Sequence, residues 1–98
     1  MAGGGPRGYM EISYSVLSAA LNGALRTHIM FRCNLNSRQL HLYLESLVEK
    51  ELIEKRREPP SVKVEYVTTI KGRKYVEIYN SLAEMLNVPP KYEREAYA

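Results

Sequence analysis

The sequence predicts one small α+β domain, mainly helical, with the order helix–helix–helix–strand–strand–helix. Three observations carry this. Apolar residues recur at helical spacing in four stretches, at 11–21, 25–33, 36–50 and 70–86. Between the third and fourth stretches, two short strand-like runs flank Pro59-Pro60. Turn and cap residues fall where these stretches meet. A chain of 98 residues has the length of one domain and is long enough for one modest core.

The Gly-rich start, with Pro6, reads as a flexible tail over residues 1–10. The run from Glu11 to Leu21 is the first helix, and Asn22-Gly23 offers a left-handed stop. A short second helix spans about Leu25 to Cys33, with Leu25, Ile29 and Cys33 along its inner stripe. Asn34-Leu35 makes a tight connection. Asn36 is an N-cap with Gln39 three residues on, a capping-box start for the third helix. Leu40, Tyr43, Leu44, Leu47 and Val48 then share one face. Arg38, Leu42, Glu45 and Glu49 point the opposite way, with Gln39 and His41 on the flanks.

Leu52 to Arg56 reads as a strand and Val62 to Thr68 as its return, a β-hairpin with a basic tip. Thr69 is the N-cap of a last helix from Ile70 to Leu86, which Val88-Pro89-Pro90 stops. This is the order of a winged helix-turn-helix, although other small α+β folds share it. The expected division is a tail at 1–10, the winged domain at 11–68, a C-terminal helix at 69–88 and a tail at 89–98.

Composition excludes several classes. No apolar run approaches the ~20 residues a membrane helix needs, and the N-terminus lacks the apolar segment of a secretory signal. Cys33 is the one cysteine, which fits a reducing cytoplasm. It reads as a small buried hydrophobe. Two histidines and one cysteine are too few for a zinc framework, so no metal is expected. There is no aspartate, no Gly-rich phosphate loop and no nucleophile–base pair at useful spacing. The sequence therefore predicts no enzyme, no cofactor and no evident small-molecule ligand.

Charge is segregated. Residues 55–74 hold Lys55, Arg56, Arg57, Lys63, Lys71, Arg73 and Lys74 against Glu58 and Glu65. Residues 12–44 hold Arg26, Arg32 and Arg38 and no acid. Such a basic surface is a phosphate footprint or, in the plainer reading, a solvated charged loop.

The segment Arg26-Thr27-His28-Ile29-Met30-Phe31-Arg32-Cys33-Asn34-Leu35-Asn36-Ser37-Arg38-Gln39-Leu40 is distinctive. It continues through Tyr43-Leu44-Glu45-Ser46-Leu47 to Glu51-Leu52-Ile53, and Thr69-Ile70-Lys71-Gly72 follows. Over about residues 11–86 it resembles a family of small archaeal winged-helix DNA-binding proteins. Their pattern is roughly T-x-I-M, N-L-S, Y-L-x-x-L, G-L-I and a later T-x-x-G. Two departures stand out. Glu51 replaces the family's usual glycine, so that turn must close without one, and Asn36 replaces the usual serine. The resemblance implies a homodimer bound to double-stranded DNA, acting as a transcription regulator or a nucleoid-associated, chromatin-type protein.

In such a fold the third helix enters the major groove through its N-terminal part. That part offers Asn36, Ser37, Arg38, Gln39 and His41. Arginine can bond guanine bidentately, and asparagine or glutamine adenine. Ser37 suits phosphate. Leu42 either touches a thymine methyl or is a scattered surface residue. Glu45 and Glu49 would repel phosphate, so only the first two turns approach DNA. Arg56, Arg57 and Lys63 are the wing's candidate contacts, and Arg26 and Arg32 could clamp the backbone. Lys71, Arg73 and Lys74 begin the last helix, where cations oppose the dipole, which favours a binding or intersubunit role.

The last helix bears on assembly. Its apolar residues cover about half its circumference, more than one-sided packing requires. Tyr75, Ile78, Tyr79, Leu82, Met85 and Leu86 are the candidate dimer interface, though Tyr75 and Tyr79, like Tyr43, also fit a core. The alternative to a DNA binder is a winged-helix module that docks proteins through the Leu42 face or the last helix.

Overall fold

The computed structural model describes residues 7–57, 59–60 and 62–86. Residues 1–6 of the expected N-terminal tail, residues 87–88 of the expected C-terminal helix segment and the expected tail at 89–98 lie outside the described residues. The elements are α1 (Tyr9–Ala19), β1 (Ala24–Leu25), α2 (Arg26–Cys33), α3 (Ser37–Glu49), β2 (Ile53–Arg56), β3 (Glu65–Thr68) and α4 (Ile70–Met85). The predicted order holds, with one strand added. β1 pairs antiparallel with β3, Ala24 opposite Tyr66, and completes a three-stranded sheet ordered β1-β3-β2. A two-residue strand is too short to show alternation, so only the tertiary pairing reveals it.

Helix α1 is the centre of the core. Residues Ile12 to Leu17 are all buried, and α1 touches α2, α3, α4 and β3. It begins at Tyr9, so residues 7–10 are not the tail the sequence predicts. The Tyr9 ring stacks on Tyr43 with centroids 5.5 Å apart, and its hydroxyl shares a 3.0 Å hydrogen bond with Ser46 Oγ. Arg7 donates to the carbonyls of Cys33 and Asn34, at 2.7 and 3.2 Å, closing the end of α2. These are long-range contacts that a local pattern does not carry.

The other end of α1 also differs. The helix stops at Ala19, ahead of Asn22-Gly23. Gly23, at φ 95°, serves the turn into β1: its N–H donates to the Ala20 carbonyl at 3.1 Å. The Thr68 N–H reaches the same oxygen at 2.9 Å, tying that turn to β3.

Helix α3 follows its sequence closely. Asn36 Oδ1 accepts from the Gln39 N–H at 2.8 Å and Gln39 Oε1 from the Asn36 N–H at 3.0 Å, a complete capping box. Leu40, Leu44 and Leu47 are buried, with Tyr43 and Val48 half-buried beside them. The ends of α2 and α3 close alike, on left-handed residues that are not glycine, Asn34 at φ 55° and Glu51 at φ 62°. In each, the next N–H reaches back five residues, Leu35 to Met30 and Leu52 to Leu47.

The hairpin is shorter than expected. Leu52 completes the α3 turn, so β2 starts at Ile53. β3 starts at Glu65, opposite Arg56, the last residue of β2. Val62 to Val64 have no ladder partner there and lie outside the strand. Thr69 Oγ1 accepts from the Gly72 N–H at 3.0 Å and caps α4 as predicted. Cys33 is buried in the core with Val16, Leu17, Ile29, Leu40 and Ile53. Among the described residues no helix is long and apolar enough to cross a membrane.

Candidate nucleic-acid interface

The first two turns of α3 bury Leu40 and Leu44 and leave their outer face exposed. Asn36, Ser37, Arg38, Gln39, His41 and Leu42 are all exposed. The capping box holds this end rigid and engages the Asn36 and Gln39 oxygens. Bidentate pairing with adenine needs both ends of an amide, so Gln39 in this rotamer has its nitrogen available and its oxygen in use. Leu42 is exposed on the same helix, with Glu45 and Glu49 further along.

Arg26 opens α2, and its Nη2 donates to the Ser37 carbonyl at 3.2 Å. The bond sets a guanidinium beside the start of α3. Arg32 is exposed in the last turn of α2, at the opposite end from Arg26. On the hairpin, Lys55, Arg56, Arg57 and Lys63 are exposed. Arg56 Nε lies 3.1 Å from Glu54 Oε2. The pair is about half exposed on both sides, so it is weak and exchangeable.

Between α3 and the sheet lies a cleft of about 190 Å³. Arg26, His41, Glu45 and Lys55 line it above Leu44 and Tyr66. Lys55, counted in the basic run of the sequence but not among the wing's candidate contacts, joins them here. It sits two residues after buried Ile53 in β2 and opposite Tyr66, so the pleat turns it to the α3 side. That period of two was the available signal.

Lys71 and Arg73 need a different explanation from the expected one. Lys71 Nζ donates to the Lys50 carbonyl at 2.9 Å, and Arg73 Nη2 to the Leu21 carbonyl at 2.7 Å. Each closes the C-terminal end of a neighbouring helix, α3 and α1, where a cation is favourable. They are therefore placed for stability after all, through tertiary contacts.

The predicted assembly surface divides in two. Tyr79 stacks on Tyr14 at 4.3 Å, and the Tyr75 hydroxyl donates to the Met10 carbonyl at 2.7 Å. Burial raises the Tyr75 phenol above the ordinary tyrosine range. These two rings pack on their own α1. Ile78, Leu82, Met85 and Leu86 face outward, all at least half exposed.

The winged helix-turn-helix family profile matches residues 6–87. No curated protein matches the chain. Among solved structures, the DNA-binding protein Sso10a-2 of Sulfolobus solfataricus is similar at 21% identity and a TM-score of 0.72, over 83% of each chain. MepR of S. aureus, in a complex with DNA, is similar at 19% identity and a TM-score of 0.66, over 89% of this chain and 71% of that one. BpsR of Bordetella bronchiseptica, whose DNA binding is regulated by 6-hydroxynicotinic acid, gives 20% identity and a TM-score of 0.68, over 78% of this chain. The match spans 60% of the BpsR chain. At these identities the structural likeness speaks for the fold. With the profile covering most of its length, the chain belongs to the winged helix-turn-helix family.

Proposed function

We propose that this protein binds double-stranded DNA, with α3 in the major groove and the hairpin on flanking backbone, as a transcription regulator or nucleoid-associated protein. One observation carries the reading. The exposed, rigidly capped start of α3, bearing Arg38, is bordered by Arg26 on one element and by the basic hairpin on another. The DNA-bound state of MepR and the DNA-binding character of Sso10a-2 support it. Arg38 is the base-reading or phosphate-contacting candidate, with Asn36, Ser37, Gln39 and His41 beside it. Arg56, Arg57 and Lys63 meet flanking DNA, and Arg32 is the outlying backbone contact.

The working unit is a homodimer formed through the outward face of α4. Ile78, Leu82 and Met85 recur at four and three residues, a spacing that suits a paired helix. Two α3 helices about 34 Å apart would read successive major grooves. The reading requires no catalytic step and places the protein with DNA in the cytoplasm.

The test is fluorescence anisotropy of a random-sequence duplex at several salt concentrations. Micromolar or tighter binding that weakens steeply with salt is expected, with Arg38→Ala and Arg57→Ala each lowering the slope by about 0.9 if they meet phosphate. Absence of binding at ~50 mM salt would remove the reading, because the non-specific electrostatic term is largest there. Protein docking through the α3 face would then take its place.

A further inference from the structure

We infer that the cleft between α3 and the sheet is a seat for one backbone phosphate of duplex DNA, held by Arg26, His41 and Lys55. The inference rests on the DNA-binding reading above and adds a defined ligand group to a defined place. Three elements supply the three donors: Arg26 from α2, His41 from α3 and Lys55 from β2. Arg26 is already oriented by its bond to the Ser37 carbonyl. That bond uses part of the guanidinium fork and leaves further N–H groups for an anion. Leu44 and Tyr66, both buried, line the same cleft. An apolar floor lowers the local dielectric and strengthens a charge-assisted hydrogen bond above it.

The charges facing His41 set the chemistry. Arg26 comes from α2, Glu45 from its own helix, Lys55 from β2 and the Tyr66 phenol from β3. Arg26 and Lys55 stand against the one carboxylate of Glu45, and the His41 ring adds a nitrogen that can donate. A phosphodiester carries one negative charge, which the excess of cationic donors in the cleft complements. The sequence places His41 among the candidate DNA contacts at the start of the third helix; in the fold it lines the same cleft as Lys55.

The experiment is anisotropy with a random-sequence duplex over a salt series. The wild-type protein is compared with His41→Ala, Lys55→Gln and, as a control, His28→Ala. His28 is exposed on α2, outside the cleft. Lys55→Gln should lower the salt slope by about 0.9, the loss of one phosphate contact. His41→Ala should weaken binding about three- to fivefold at low salt, the order of one surface contact, and His28→Ala should keep the wild-type affinity and slope. His41→Ala retaining the wild-type affinity, or Lys55→Gln retaining the wild-type slope, would overturn the seat while DNA binding stood. A wild-type protein that binds no duplex at the lowest salt would overturn the DNA reading itself, and the seat with it.

Discussion

The carbonyl oxygen of Leu52 occupies the space where a Cβ on Gly72 would lie, and the Thr68 Cγ2 would sit 2.6 Å from that same atom. The Thr69 N–H also donates to the Leu52 oxygen, at 3.1 Å. The junction of α3, β2, β3 and α4 therefore closes through one backbone oxygen, and it leaves no room for a side chain at residue 72. This gives the T-x-x-G pattern a physical basis, with the threonine capping the helix and the glycine admitting the neighbouring chain. Helix propensity alone would favour Gly72→Ala by up to about 1 kcal/mol. The overlap is with backbone and outweighs it, so we expect Gly72→Ala to lower stability by about 1–3 kcal/mol. Urea unfolding measures this, and an unchanged or raised midpoint would show that the junction relaxes freely.

Glu51 presents the opposite case. Its φ of 62° puts a non-glycine residue in the left-handed region at the end of α3, where glycine is the usual solution. Relieving that conformation in Glu51→Gly should raise stability by about 0.5–1 kcal/mol. Asn34→Gly is the internal comparison. Asparagine tolerates φ near 55° better, so its gain should be smaller. Equal gains at both positions would point to a cause other than the side chain.

The α3 cap separates stability from recognition. Asn36→Ala removes the acceptor for the Gln39 N–H and should cost about 1 kcal/mol, read as a lower thermal midpoint. Gln39→Glu keeps an acceptor for the Asn36 N–H and adds a negative charge that the helix N-terminus favours. It should therefore hold or raise stability. On a DNA-facing helix the same charge repels phosphate, so duplex affinity should fall several-fold at low salt. A variant that is both as stable and as tight as wild type would remove the start of α3 from the DNA surface.

These residues also show where sequence legibility ends. The α3 boundaries, its buried face and the Thr69 cap follow from contacts within four residues, which a single sequence displays. Strand β1, the start of α1 at Tyr9 and the late start of β3 at Glu65 depend on partners far away in the chain. The same division runs through the site. Exposure of Arg38 and His41 follows from helical period, whereas the meeting of Arg26, His41 and Lys55 needs the fold. Lys71 and Arg73 looked misplaced on their own helix because the carbonyls they satisfy belong to α3 and α1.

Leu82 tests the assembly. It lies on the outward side of α4, 50% exposed, between Ile78 and Met85, which are exposed by 51% and 79%. The aromatic residues of the same helix, Tyr75 and Tyr79, are engaged with α1, so Leu82→Glu should leave the domain folded. Placed in a helix–helix seam, a charge without a partner is strongly unfavourable. We expect the wild type to sediment at twice the chain mass and Leu82→Glu at the chain mass, with an unchanged circular dichroism spectrum. Duplex affinity should fall by at least tenfold in the variant, because two linked half-site contacts become independent ones. A wild type that sediments as a monomer at micromolar concentration would sink the dimer. A variant that loses DNA affinity while remaining dimeric would instead place Leu82 near the nucleic acid.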